Sequence, residues 1–363
     1  MKRGAFAMRT FRLACVAAAL LSGANPASAQ AAPPATGYKA DASIFIGNAT
    51  VPYSVFASPE SRAFFPKMLA EGDKAPPLTA PIEQNRAFYD RMNSARAARM
   101  QQIYPVKIAA GRIANVAVDV VLPAQGVAPA NQARVLINLH GGAFLWGAHS
   151  GGLVEAIPIA GVGRVKVVTV DYREGPEHVF PAATDDVVAV YRELLKHYQP
   201  ANVGIYGCSA GGILTGEVTA RLIHDQLPLP GAIGMFCAGV TPLGGDESYI
   251  ASPLNGKPIP PRSMQLGDLP YFKGASADDP LVFAANSPAL LAKFPPTLLI
   301  SGTRDMAMSA VIHSHTLLDR AGVEAELHVW DGMWHSFFSD PDMPESKDAY
   351  RVIWRFFDRH LGH

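Results

Sequence analysis

The chain has 363 residues, 49% of them apolar, with 31 basic side chains balanced by 31 acidic ones. That balance leaves no electrostatic footprint for nucleic acid or an anionic membrane, and three cysteines are too few for a disulfide scaffold. The length suits one large α/β core with a lid, or two modest domains.

Lys2, Arg3, Arg9 and Arg12 precede an apolar run from Leu13 to Leu21 and then Ala27-Ser28-Ala29. This is the layout of a secretory signal with a small-residue cleavage site, placed at residues 1–29. The run falls well short of the roughly 20 apolar residues a spanning helix needs. The expectation is therefore a periplasmic or secreted protein without a stable membrane anchor, with Met8 as good a start as Met1. Losing the segment removes four basic residues and no acidic one, leaving 27 basic against 31 acidic. Cys15 goes with it. Cys208 and Cys237 remain; they could form one bridge, but the simpler reading is two buried thiols acting as small apolar side chains.

Residues 30–57, rich in Ala, Pro and Gly at first, read as a flexible leader. Residues 58–110 read as an N-terminal helical cap of two stretches separated by Lys74-Ala75-Pro76-Pro77, with Phe64, Phe65, Met68 and Leu69, then Phe88, Met92 and Met100, forming one apolar face each.

From residue 111 onward short β-branched runs alternate with longer helical patterns. Val116–Leu122, Arg134–Leu139, Val165–Val170, Val203–Tyr206, Ala232–Cys237, Thr297–Ser301 and Val323–Trp330 read as strands. Ala182–His197, Ala210–Gln226, Ser309–Ala321 and Ser346–Leu361 read as helices, with Gly322 and Gly362 at C-cap positions. The alternation predicts an α/β fold with a largely parallel sheet covered by helices on both faces. The stretch at about 241–290, rich in Pro, Gly, Ser and Asp, breaks the rhythm and reads as a lid insertion.

Within this frame Gly207-Cys208-Ser209-Ala210-Gly211 matches G-x-S-x-G and falls between a strand and a helix, the setting of a nucleophile elbow. Its competing reading is a chance serine-glycine turn. His140-Gly141-Gly142-Ala143-Phe144 follows an earlier strand and matches an oxyanion loop. Its glycines let backbone N–H groups approach a developing oxyanion together with that of Ala210. The loop's donor pair is either Gly141 with Gly142 or Gly142 with Ala143.

A serine hydroxyl needs a base and an orienting carboxylate. Asp305 follows the Thr297–Ser301 strand and His335 follows the last one, in the order this chemistry uses. His178, His313, His315 and His328 lie in a loop, a helical pattern and a strand, where surface or structural roles suffice. Asp331 stands only four residues before His335, poorly placed to support it from behind. Phe144 and Trp334 are candidate substrate contacts, and Trp146, Phe180 and Phe337 also flank the motifs, with ordinary core packing as the alternative. No metal-ligand spacing appears, so neither metal nor cofactor is expected.

Taken with Asp171-Tyr172-Arg173 and Pro176-Glu177-His178-Val179-Phe180-Pro181-Ala182-Ala183, these motifs resemble the hormone-sensitive-lipase-like branch of the α/β-hydrolases, which includes bacterial esterases. The resemblance implies a mostly parallel eight-stranded sheet with a cap. It also implies a carboxylesterase-type serine hydrolase acting on a small-molecule ester with small to medium acyl groups, with Glu177 and Asp186 in a structural network. A lactone hydrolase or natural-product deacetylase would use the same triad, and a non-catalytic binding homologue is the rival of another class. Ser209 argues against the carboxylate-nucleophile members of the fold. Two departures stand out: Ala143 replaces the family's usual third glycine, and Asp305-Met306-Ala307-Met308-Ser309 lacks the second acid of D-P-L-x-D.

Overall fold

The computed structural model describes Thr36–Tyr38, Ile44–Ile46 and residues 50–362, so the expected signal at residues 1–29 lies outside the described residues. Two compact units are present, Met1–Val51 and Pro52–His363. In the first, β1 (Thr36–Tyr38) pairs antiparallel with β2 (Ile44–Ile46). The leader read as flexible therefore contains a ladder, favoured by the apolar, β-prone Ile44-Phe45-Ile46.

The second unit begins with Tyr53 and Ala57 already packed, Tyr53 lying 4.9 Å from the Phe65 ring. Two helices follow, α1 (Pro59–Gly72) and α2 (Ile82–Ile103). Ser58 caps α1 by accepting the Ser61 N–H at 3.1 Å, and Pro59 takes the first turn, where its missing N–H costs nothing.

The body starts at β3 (Val106–Ile113), inside the stretch assigned to the cap. Val106-Lys107-Ile108-Ala109-Ala110-Gly111 has weak β propensity, and β3 is a largely exposed edge strand, so no strong pattern marks it. It turns through Ala114 and Asn115, both at positive φ, into β4 (Val116–Pro123), a two-residue hairpin that sets Ile113 opposite Val116. The chain then runs β5 (Val135–Leu139), α3 (Ser150–Gly163), β6 (Lys166–Asp171), α4 (Ala182–Leu194), β7 (Val203–Cys208), α5 (Ala210–His224) and β8 (Ala232–Phe236). After α6 (Glu247–Leu254) and α7 (Pro288–Leu291) come β9 (Thr297–Arg304), α8 (Met308–Arg320), β10 (Ala325–Trp334) and α9 (Pro344–His360).

The eight strands lie in the order β10-β9-β8-β7-β5-β6-β4-β3. Those from β5 to β10 are mutually parallel, and β4 joins β6 antiparallel. The chain leaves β5 for β6 on one side and returns for β7 on the other. Such a reversal opens a crevice at the carboxyl ends of the strands.

Period-two alternation builds a core on each face of this sheet. On β5, Ile137 and Leu139 face α4 and α5 residues such as Val187 and Leu214, whereas Leu136 faces α3 and α9 residues such as Ile157 and Phe357. The α9 helix buries Ala349, Tyr350, Val352, Ile353, Phe356 and Phe357, one helical stripe. No helix was expected at α3, whose sequence holds four glycines and Pro158. Packing overrides propensity there: a Cβ on Gly152 would lie 2.1 Å from Thr169 Oγ1 of β6. The insertion at 241–290 is more than a lid, since its Leu269, Tyr271, Phe272, Val282 and Phe283 join the α4/α5-side core.

Candidate active site

The serine at the β7–α5 junction stands at φ 57°, ψ −120°, the strained turn that lifts a nucleophile clear of its sheet. Only small neighbours permit it: a Cβ on Gly211 would lie 1.7 Å from the Leu139 carbonyl oxygen of the adjacent strand. Asp305 leaves the end of β9 and His335 the end of β10, which brings both to the same sheet edge as Ser209.

The three side chains form one hydrogen-bonded chain. His335 Nδ1 lies 2.6 Å from Asp305 Oδ1, and His335 Nε2 lies 2.9 Å from Ser209 Oγ. Burial alone would favour the neutral acid, but the charge of His335, its hydrogen bond and those from Ala307 and Ser301 hold Asp305 below the usual carboxylate range. Conversely, burial pulls His335 down, yet Asp305 outweighs it and leaves the imidazole above its ordinary value. An ionised Asp305 accepts the Nδ1–H, so Nε2 is left as the acceptor of the serine proton.

Without the second acid, Asp305 is held by two local donors. Ser301 Oγ donates to Asp305 Oδ2 at 2.8 Å and the Ala307 N–H to Oδ1 at 2.9 Å. The acid's position itself, Ser309, accepts the N–H of Glu247 at 3.0 Å and so ties α6 to α8.

Among the oxyanion candidates the structure separates one from the rest. The N–H of Gly141 donates to Glu155 Oε1 at 2.8 Å and is not free. Those of Gly142 and Ala143 donate to no described acceptor, and Ala210, first in α5, has no intrahelical one. Of the two pairs the sequence left open, only Gly142 with Ala143 keeps both N–H groups free of a described acceptor. Gly142 has φ 128° and passes so close to Trp146 that a Cβ would lie 1.7 Å from its carbonyl oxygen. Ala143 takes up the left-handed φ of 54° that a glycine would adopt more cheaply.

The remaining candidates are placed as follows. Phe144 has no exposed surface and stacks on Tyr271 at 4.6 Å, so its ring faces the core and not a ligand. Trp334 packs against Phe64 and Phe65 of α1 at 5.9 and 5.5 Å, joining the cap to the residue beside His335. Trp146 stacks on Tyr89 at 4.3 Å, and Phe337 is core. Asp331 is bound by the hydroxyls of Ser54 and Thr303. Glu177 pairs with Arg86 and Asp186 with Arg173, a bracing role for each. Cys208 and Cys237 are free and buried; both sulfurs contact Ser336, next to His335.

The sequence reading passed over Arg304. Its guanidinium lies beside the paired rings of Tyr53 and Phe65, 4.9 and 4.8 Å from their centroids, and donates to the carbonyls of Leu254 and Pro52. Its place directly before Asp305 was the available signal. Ligand-type atoms of Cys237, Asp305 and His335 lie within 4.8 Å of one another. Those of Asp305 and His335 are already bonded to each other, and burial pushes the Cys237 thiol well up, away from the thiolate a metal binds.

Residues 136–339 match the family model described as alpha/beta hydrolase fold. The chain belongs to the α/β-hydrolase family. A solved esterase, E25, is similar over 88% of this hydrolase and 99% of its own length, with 30% identity and a TM-score of 0.74. An esterase of the bacterial hormone-sensitive lipase family matches at 26% identity and a TM-score of 0.73, over 84% of this hydrolase and 99% of its own chain. An acetyl-hydrolase of Streptomyces hygroscopicus is 26% identical over 242 residues, 66% of this chain and 80% of that one. The expected branch and the carboxylesterase-type hydrolase class both stand.

Proposed function

We propose that this hydrolase cleaves carboxylic esters through an acyl-enzyme formed on Ser209. His335 takes the serine proton and returns it to the leaving alcohol, and Asp305 holds the imidazole in the Nδ1–H tautomer. The N–H groups of Gly142, Ala143 and Ala210 receive the oxyanion, where a single donor is typically worth ~10²–10³ in rate. Water activated by the same histidine then releases the acid. The observation that carries this reading is the 2.9 Å contact of His335 Nε2 with Ser209 Oγ at a strained elbow.

Small to medium acyl groups are the expected substrates, in keeping with the esterase and acetyl-hydrolase relatives. The acetyl-hydrolase relative supports a deacetylase as the second reading. Burst release of p-nitrophenol from short-chain esters by the chain starting at Gln30, lost in Ser209→Ala, tests the mechanism; an unreactive wild type would instead favour a ligand-binding homologue. A panel of p-nitrophenyl esters, acetylated alcohols and lactones ranks the substrates. Export to the periplasm or beyond rests on the basic, then apolar N-terminus, and N-terminal sequencing of the fractionated protein tests it. Among the described residues no helix is long and apolar enough to cross a membrane.

A further inference from the structure

Glu155 has no part in the proton relay, yet it touches both halves of the site. It lies on α3, and its carboxylate accepts the Gly141 N–H at Oε1 (2.8 Å) and the Asn138 side-chain amide at Oε2 (2.9 Å). Cys208, next to the nucleophile, lies close by and adds to the pull that favours the charged carboxylate. Asn138 is oriented in turn by Thr169, whose hydroxyl donates to its Oδ1 at 2.9 Å. Tyr206 Oη reaches the Glu155 carbonyl at 3.2 Å, which fixes the α3 backbone to β7.

The fit around Gly141 is close. A Cβ there would lie 3.0 Å from the Cys208 carbonyl oxygen, 3.4 Å from Ser209 Cβ and 3.6 Å from Glu155 Oε1. The oxyanion loop is thus held between the elbow and one carboxylate. Gly142 and Ala143 follow immediately, and their free N–H groups inherit their aim from Gly141.

We propose that Glu155 is a positioning residue for the oxyanion hole, its carboxylate gripping the loop at Gly141 while Tyr206 ties its backbone to the elbow strand, so that the donors converge on one point. Both hydrogen bonds need an acceptor oxygen, so the deprotonated form is the competent one. Protonation would put an O–H where N–H groups already point, and one contact would be lost.

Among the described residues no cation faces this carboxylate. The titratable groups around it are Tyr172 after β6 and Tyr206 and Cys208 of β7, all held neutral by burial. His140, bonded to the Gly141 carbonyl, is also kept neutral by burial. Although Glu155 keeps some surface, burial of its carboxyl pushes it up to about 7, with the donors of Gly141 and Asn138 only partly opposing the rise. Protonation of Glu155 therefore adds to that of His335 on the acid side of the profile.

The inference rests on the acyl-transfer reading, which wild-type turnover tests separately. Steady-state kinetics of the full mature chain with p-nitrophenyl acetate are measured from pH 5 to 9 for wild type and Glu155→Gln. The amide keeps the size but replaces one acceptor oxygen with a donor. The expected result is a 10- to 100-fold fall in kcat, as about one oxyanion donor is misaimed, with KM within about twofold. The acid limb of log kcat should fall with a slope approaching two in wild type and one in the variant. An unchanged kcat, or a wild-type limb of slope one, would overturn the proposal while leaving the hydrolase reading intact. Should Glu155→Gln fail to fold, Asn138→Ala serves instead. Losing that donor moves the acid limb to higher pH, and a limb that stays in place counts against Glu155.

Discussion

The hydroxyl of Ser301 donates to Asp305 Oδ2 from within β9, four residues upstream, and both side chains are fully buried. Ser301→Ala leaves a buried carboxylate oxygen without its donor, a loss of about 1.5–3 kcal/mol for a charged hydrogen bond. Because the Ala307 N–H remains, only part of that loss reaches the transition state. A fall in kcat of about fivefold to thirtyfold is expected at pH 8, and an unchanged value would mean that Ala307 suffices.

His335 must be neutral to accept the serine proton. Its imidazole is raised above the ordinary value by Asp305, so activity is complete above that raised value and is lost as pH falls through it. The acid limb of kcat/KM should therefore be centred above about 6.5. Asp305→Asn removes the cause and selects the wrong tautomer, with a loss on the order of 10⁴ in kcat. A limb centred below pH 6 in the wild type would contradict the coupling.

Adjacent positions in the oxyanion loop should respond oppositely. Gly142→Ala meets the Trp146 carbonyl oxygen at 1.7 Å and forces φ 128° on an L side chain, so the loop must move. A loss of at least 100-fold in kcat with a near-native circular dichroism spectrum is expected. Ala143→Gly keeps the N–H and relieves a φ of 54° worth about 1 kcal/mol, offset by a similar gain in unfolded-chain freedom. Near-neutral stability and retained activity are expected, measured by thermal melting and p-nitrophenyl acetate turnover.

Arg304 links the residue before Asp305 to Tyr53, Phe65 and the end of α6. Arg304→Met keeps much of the stem but removes the cation and its donors, at a cost of about 2–3 kcal/mol. The melting temperature should fall by several degrees, and limited proteolysis should strike first near residues 51–57 and 254–262. Unchanged cleavage there would show that α1 and α6 are held without it.

The elbow, the oxyanion loop and the order of Asp305 and His335 were legible in the sequence because each is a local backbone device at a strand end. Small residues must surround a strained serine, and glycines must line a loop that approaches substrate closely. The strands of the inner sheet were legible as β-branched runs for the same local reason. By contrast, β3 and α3 escaped notice. An exposed edge strand needs no apolar pattern, and a helix pressed on a sheet can be rich in glycine against its own propensity.

What the sequence by itself determined was the set of residues behind the proposed chemistry: Ser209 at an elbow, Asp305 and His335 in order, and a glycine-rich loop beside them. Which N–H groups remain free was decided only in three dimensions, when Glu155, fourteen positions along the chain, took that of Gly141. The same holds for the support of Asp305 by Ser301 and the turning of Phe144 into the core. A motif specifies the backbone it needs. The partners of each polar atom depend on which strands become neighbours, and strand order is set by the packing of both sheet faces together.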